Sequence, residues 1–316
     1  MSFSGEVKQE LEPIIGSARH CRLAELAALF SFYGRGIRSE EGFLGIRITT
    51  ENRGICIKCF TLLKKTFNME FGVSVRRSAH AASNPVYELR IEEPKAAQEV
   101  LMALKLYDAV SGLRRPTNAV VSTLLIKGEC CKRAFLRGCF LTVGSMSDPQ
   151  KGYHMEFVCD DREHADTIIS VLRDFDIEAK QVLRKRYFVV YLKDGEQIVD
   201  LLNVMGAHVA LMELENTRIL KEMRNSVNRR VNCEAANITK TVNAAGKQVE
   251  DIEYLAAHGG LGGLPESLRD MAQLRLDHPD ATLSELSELS DPHIGKSGIN
   301  HRLRKISEMA ERLRNY

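Results

Sequence analysis

Apolar positions in this chain first fall into two runs of helical density. Cys21–Gly34 (CRLAELAALFSFYG) and Cys131–Ser145 (CKRAFLRGCFLTVGS) are built from small and apolar residues, and each meets a glycine at its end, Gly34 and Gly144. Leu26–Gly34 lies over Leu136–Gly144 at an offset of 110 residues. The second run carries Gly138 in mid-helix, which costs about 1 kcal/mol against alanine in a solvated helix. Close approach of another backbone explains such a choice. The pattern predicts that the two helices pack on each other and make one domain from two similar halves.

Behind each run the period changes. Gly42–Thr50 reads as a strand and Asn52–Phe67 as a helix, with Ile55, Cys59, Leu62, Leu63 and Phe67 on one side. Phe71–Arg77 and Tyr87–Glu92 read as strands joined by the polar loop Ser78–Pro85, and Pro94 opens a helix over Lys95–Tyr107. The order then returns: strand Gly152–Cys159, helix Asp161–Phe175, strands Ile177–Val182 and Tyr187–Lys193, helix Gly195–Met205. Glu51 falls on Asp161, Cys59 on Ile169 and Leu62 on Leu172 at the same offset of 110, whereas Tyr87 and Tyr187 stand 100 apart, which gives the first copy a longer loop near Ser78–Pro85.

After Glu215 the alternation stops and everything reads helical. Glu215–Asn228 looks like a linker helix, and Asn237–Leu255 carries Ile238, Val242, Ala245, Val249, Ile252 and Leu255 at helical spacing before the glycine-rich His258–Gly263 breaks it. Pro265 opens a helix over Glu266–Leu276, with Leu268, Met271, Ala272 and Leu276 inward. Thr282–Glu285 is a capping box for a short helix, Leu283–Leu289. A turn, Ser290–Gly295, leads to Ser297, expected to cap a last helix, Gly298–Arg314. Ile299, Leu303, Ile306, Ala310 and Leu313 form its inward face, and Asn300, His301, Arg302, Arg304 and Lys305 its outer one. A short helix, a tight turn and a polar-basic second helix form a helix-turn-helix pattern, in which the second helix sets its first turns against base edges. The expected domains are 1–214, with halves 1–113 and 130–214, and 215–316.

Composition adds little until it is resolved along the chain. The 316 residues carry a net charge of +2, but Lys296–Tyr316 holds six Lys/Arg against two acids, a local basic stripe. Gly295-Lys296-Ser297 mimics the end of a phosphate loop; Ser290 stands where that motif needs glycine, and no strand precedes it. Eight cysteines are scattered through core-like segments. Cys56 and Cys59 have zinc-like spacing, and Cys130–Cys131 would complete four ligands. Buried thiols at i, i+3 on a helix explain the pair better, so no metal and no cofactor are expected. No apolar run approaches the roughly 20 residues of a membrane span. The start, MSFSGEVKQEL, reads as a helix capped by Ser4 rather than as a secretory signal, and reduced thiols fit a cytoplasmic protein.

The paired runs resemble the LAGLIDADG homing-endonuclease fold, whose two helices cross through small residues at the third position, here Ala28 and Gly138. In that family the eighth position delivers a metal-binding carboxylate. Tyr33 and Val143 occupy it here, and Val143 has no ligand atom. The resemblance therefore implies the scaffold without the nuclease. It also implies a curved strand platform, with Arg47, Arg76, Arg77, Arg90, Lys180, Arg184, Lys185 and Arg186 as candidate phosphate contacts. The whole chain resembles the WhiA family, a degenerate LAGLIDADG domain fused to a C-terminal helix-turn-helix. FSGEVKQEL, the two paired runs, NRRVNCEAANITKTVNAAGKQVED over 228–251 and SGINHRLRKI over 297–306 carry that likeness. Membership implies an α+β N-terminal domain of two pseudo-symmetric LAGLIDADG-like halves and an all-α helix-turn-helix domain. It further implies a bacterial, nucleoid-associated regulator of sporulation, cell division or chromosome organisation that binds double-stranded promoter DNA, has no enzymatic activity and meets another transcription factor or RNA polymerase. The DNA contacts are expected at Ser297, Asn300, His301, Arg302, Arg304 and Lys305, supported by Asn237 and Lys240. The alternatives are a protein-interaction scaffold and a residual metal-dependent endonuclease.

Overall fold

Ser2 opens the first element, α1 (Phe3–Leu11), by accepting from the Gly5 amide at 3.2 Å. The sequence expects Ser4 in that role, but Ser4 lies inside the first turn, and its hydroxyl accepts from the Met146 amide instead. The computed structural model of the chain describes residues 2–39, 42–69, 72–76, 85–108, 112–113 and 120–315. Phe71, Arg77 and most of the loop Ser78–Pro85 lie outside them.

The first half runs α2 (Arg19–Tyr33), β1 (Gly34–Ser39), β2 (Gly42–Thr50), α3 (Arg53–Phe67), β3 (Gly72–Arg76), β4 (Val86–Ile91) and α4 (Pro94–Ala103). A two-residue ladder, β5 (Tyr107–Asp108) with β6 (Gly112–Leu113), and a 3-10 turn, Thr123–Leu125, lead into the second half. There the order is α5 (Glu129–Val143), β7 (Gly144–Met146), β8 (Met155–Cys159), α6 (Arg162–Arg173), β9 (Lys180–Arg184), β10 (Tyr187–Leu192) and α7 (Gly195–Met205). The sheets have the same antiparallel topology, β1-β2-β4-β3 and β7-β8-β10-β9, so the duplication read in the sequence is a duplication of fold.

The edge strands β1 and β7 were not legible. GRGIRS and GSM are too short to display alternation, and they follow the seam helices without a loop. Gly34 and Gly144 are already extended (φ −70°, ψ 138° and φ −80°, ψ 144°), and they pair at once with Ile48 and Phe157. A Cβ on Gly144 would sit 2.5 Å from the Phe140 Cα, so the turn from helix to strand closes over a bare backbone. Two helices stop earlier than their apolar pattern: Lys105 and Asp176 take positive φ (58° each) just beyond α4 and α6.

α2 and α5 cross at the centre of one hydrophobic core that spans both halves. At Gly138 an added Cβ would stand 2.8 Å from the Ala28 Cβ and 2.9 Å from the Glu25 carbonyl oxygen. That is the close approach expected from the glycine. Beside it lies an ionic core that the sequence did not announce. Fully buried Glu25 pairs with Lys58 Nζ at 2.9 Å and Arg137 Nε at 2.9 Å. Lys58 also donates to the carbonyls of Leu11, Glu12 and Ile14, and Arg137 to that of Met205. Burial pulls the Lys58 ammonium down from its usual range, and Glu25 opposes that. Cys56 and Cys59 are buried on α3, as expected of apolar thiols.

The chain divides into two compact units, Met1–Lys221 and Glu222–Tyr316, where the sequence reading places the boundary at 214/215. The linker helix and the one expected after it are a single helix, α8 (His208–Ala257), of 50 residues. The Glu10 carboxylate accepts from the Val209 and Ala210 amides at its start. A 3-10 turn, Gly260–Gly263, then leads to α9 (Glu266–Asp277), α10 (Leu283–Leu289) and α11 (Lys296–Arg314). The apolar stripe predicted on Asn237–Leu255 is buried only towards its end. Ile238 and Val242 are 64% and 58% exposed, whereas Ala245, Ile252 and Leu255 are buried.

Candidate nucleic-acid interface

A second core holds the C-terminal unit together. Ile252 and Leu255 of α8, Leu268, Met271 and Ala272 of α9, Leu286 of α10, and Ile299, Leu303, Ile306 and Ala310 of α11 are buried against one another. Leu313, expected inward, is 37% exposed; α11 has there run past the core.

Polar side chains fix the two turns. Buried Arg275 donates to the carbonyls of His278, Pro279 and Ala281 (3.3, 3.3 and 2.7 Å), which gathers the connection from α9 to α10 onto one guanidinium. The capping box is formed at both ends: Thr282 Oγ1 accepts from the Glu285 amide at 3.3 Å, and Glu285 Oε2 from the Thr282 amide at 2.7 Å. Those bonds hold the Glu285 carboxyl below its ordinary range. Between α10 and α11, Ser287 Oγ donates to the Ile294 carbonyl at 2.6 Å, and Ser290 Oγ accepts from the Ile294 amide at 2.9 Å. At its far end α11 is tied to α8 by Arg314, whose Nη1 meets buried Asp251 at 2.6 Å and whose guanidinium lies over the Tyr254 ring.

These ties present the outer face of α11. Ser297, Asn300, His301, Arg304 and Lys305 are exposed. At about 100° per residue, Ser297, His301, Arg304 and Lys305 point away from the buried stripe, and Asn300 flanks them. Ser297 does not cap: α11 starts at Lys296 behind Gly295, with no side-chain cap, which leaves the Ser297 hydroxyl on the surface. Arg302 is turned aside. Its Nη1 donates to the Ser267 carbonyl of α9 at 3.3 Å, and it lines a cleft with Glu266, Asp270 and Asp291. Arg304 makes an exposed ion pair with Glu308 at 3.1 Å.

Asn237 and Lys240 are exposed on α8, in a stretch from Glu222 to Ala244 where every residue is exposed. Asn225, Asn228, Arg229, Asn232, Lys240 and Asn243 share one face of that helix by the same 100° rule, and Asn237 stands beside it. The acid nearest that stretch's middle, Glu234, falls on the opposite face, among Met223, Val227, Val231, Ile238 and Val242, all more than half exposed. The Asn-rich face was in the sequence, in NRRVNCEAANITKTVN, and a helical wheel finds it.

Neighbouring side chains engage four of the platform's described arginines. Buried Glu88 pairs with Arg90 at 2.7 Å and Arg47 at 3.9 Å, and Glu156 pairs with Arg184 at 3.4 Å and His154 at 3.1 Å. Arg186 lies over the Tyr187 ring and donates to its hydroxyl. Lys180 and Lys185 are exposed, and Lys185 takes φ 57° in the β9–β10 turn. Arg77 lies outside the described residues, as does the Arg76 side chain. At the end of the seam helices, the Tyr33 hydroxyl donates to the Thr142 carbonyl across the seam at 3.0 Å, and Val143 packs on the core.

Three family profiles match the chain: the WhiA N-terminal LAGLIDADG-like domain over residues 19–107, the WhiA LAGLIDADG-like domain over 132–224 and the WhiA C-terminal HTH domain over 227–310. Relatives named "Probable cell division protein WhiA" include one from Lachnoclostridium phytofermentans, 48% identical over 99% of this chain and 100% of its own length. Another, from Alkaliphilus oremlandii, is 47% identical over 99% of this chain and 98% of its own. Among solved structures, full-length DUF199/WhiA from Thermatoga maritima shares the fold with a TM-score of 0.58 at 24% identity, covering 99% of each chain.

Proposed function

Because the chain belongs to the WhiA family, we propose that it is a sequence-specific regulator of transcription that binds double-stranded promoter DNA, acts in cell division, chromosome organisation or sporulation, and does not cut DNA. The observation that carries this reading is the outer face of α11. Ile299, Leu303, Ile306 and Ala310 are committed to the core, and an amide, an imidazole, a hydroxyl and two cations are left to solvent on consecutive turns. Asn bonds adenine bidentately, Arg does the same for guanine, and Lys neutralises phosphate. Arg304 meets DNA by exchanging its exposed Glu308 partner, a cheap exchange for a surface pair. Arg302 supports the turn through Ser267 before it reads any base. Asn237 and Lys240 add amide and charge from α8. Tyr33 and Val143 support the non-cleaving part, because neither supplies a carboxylate for a divalent ion.

Selection of duplexes from random DNA by the full chain, followed by titration at fixed salt, tests the reading. A recurring motif bound far more tightly than bulk DNA is the expected result. A second reading, a protein-interaction scaffold, is favoured by the exposed apolar stripe on α8. A pull-down that survives nuclease treatment and is lost on Val227→Glu/Val231→Glu would support it.

A further inference from the structure

We infer that the chain carries a zinc-type metal site of three thiolates and one imidazole at the start of the seam. The first turns of α2 and α5 bring His20, Cys21, Cys130 and Cys131 together, with all four ligand atoms within 4.8 Å of one another. His20 Nδ1 lies 3.1 Å from Cys131 Sγ, 3.3 Å from Cys21 Sγ and 3.9 Å from Cys130 Sγ. Metal–sulfur bonds of ~2.3 Å and a metal–nitrogen bond of ~2.0 Å at tetrahedral angles require ligand atoms roughly 3.5–3.8 Å apart. The three nitrogen–sulfur separations bracket that spacing, so adjustments of a few tenths of an ångström in the side chains would close a tetrahedral site.

The pairs are related by the duplication: His20 and Cys130 stand 110 residues apart, as do Cys21 and Cys131. Each half thus supplies the same two positions, and a metal there would lie on the pseudo-twofold relation between the halves. It would sit at the opposite end of the seam from Tyr33 and Val143. Three soft thiolates and an imidazole select Zn²⁺ or a similar thiophilic ion over Mg²⁺ or Ca²⁺. Each thiol gives its proton to solvent as its sulfur joins the metal, and the bound site is left with one negative charge. Two helices start at the cluster, and neither takes a side-chain cap at Ala18 or Gly128, so their positive ends face that charge uncompeted. Cys21 and Cys131 are buried while Cys130 and His20 are exposed, which leaves a path for the ion. Closed coordination by four protein ligands makes the site structural, a clip between the halves.

The test uses the full chain purified without chelator or affinity tag. Elemental analysis should find one zinc per chain. Reduced apoprotein titrated with Co²⁺ should develop the visible bands of tetrahedral thiolate-bound cobalt, and Zn²⁺ should displace them. Cys130→Ser, at an exposed position, should lose the bound metal, and Cys233→Ser, exposed on α8 outside the cluster, should keep it. A folded, reduced wild-type chain that takes up neither ion overturns the proposal. So do uptake that survives His20→Ala with Cys130→Ser, and isolation of the chain with Cys21 and Cys131 joined in a disulfide.

Discussion

Gly138 sets the distance between the seam helices, and its replacement has opposed terms. Alanine gains about 1 kcal/mol of helix propensity. Its Cβ would press on Ala28 and the Glu25 carbonyl, neither a flexible side-chain end, and overpacking costs about 1–3 kcal/mol. Gly138→Ala should therefore lower the urea midpoint; a raised midpoint would show that the helices part freely. Glu25→Gln leaves Lys58 and Arg137 buried without their countercharge, and such losses cost about 3–5 kcal/mol. Its urea midpoint should fall further than that of Gly138→Ala. The buried thiols set a pH dependence. Burial pushes Cys59 and Cys139 up and Cys159 to about 12, from an ordinary 9.0. Above pH 9 the unfolded chain loses these protons while the folded one keeps them, so stability should fall between pH 9 and 12, and a flat denaturation midpoint there would contradict it. Residue types were partly legible. Gly138 announced its contact because a bare helix position needs a reason. Glu25 did not, because a lone acid in an apolar run looks like a surface residue until its partners, 33 and 112 positions away, are folded beside it. His20 and Cys21 fall on Cys130 and Cys131 at the same offset of 110 that pairs the seam helices, so their meeting was legible in the sequence.

Among the elements, amphipathic helices followed from pattern, whereas the caps expected at Ser4 and Ser297 did not form and the shortest strands and the continuity of α8 were hidden. The capping box at Thr282 formed as read. The edge strands β1 and β7 were hidden by their length. α8 does not split into two helices as its apolar stripe suggests, because from Glu222 to Ala244 that stripe faces solvent. The exposed face of α11 makes a direct prediction. Asn300→Ala should weaken binding to the selected duplex by about 1–3 kcal/mol and relax preference at one base pair. Lys305→Ala should weaken all sequences alike and reduce the slope of log affinity against log salt by about 1. Equal losses on specific and bulk DNA for Asn300→Ala would make it a positioning contact.

In the whole molecule, scaffold and exposed polar face lie in different units. The N-terminal unit has the duplicated sheets and crossed helices of a LAGLIDADG-like fold. Among the described residues its platform guanidinia Arg47, Arg90 and Arg184 pair with Glu88 and Glu156, and Tyr33 and Val143 stand at the end of its seam. The fold class was legible because an offset that persists through several elements is a property of the whole chain. The direction of the platform charges was not, because the pairing that consumes them depends on strand register. The most direct measurement compares two full-length triple variants on the selected duplex at fixed salt: His301→Ala/Arg304→Ala/Lys305→Ala on α11 and Lys180→Ala/Lys185→Ala/Arg186→Ala on the platform. The α11 variant should fall to the affinity of bulk DNA while the platform variant stays close to wild type. The reverse order would contradict it.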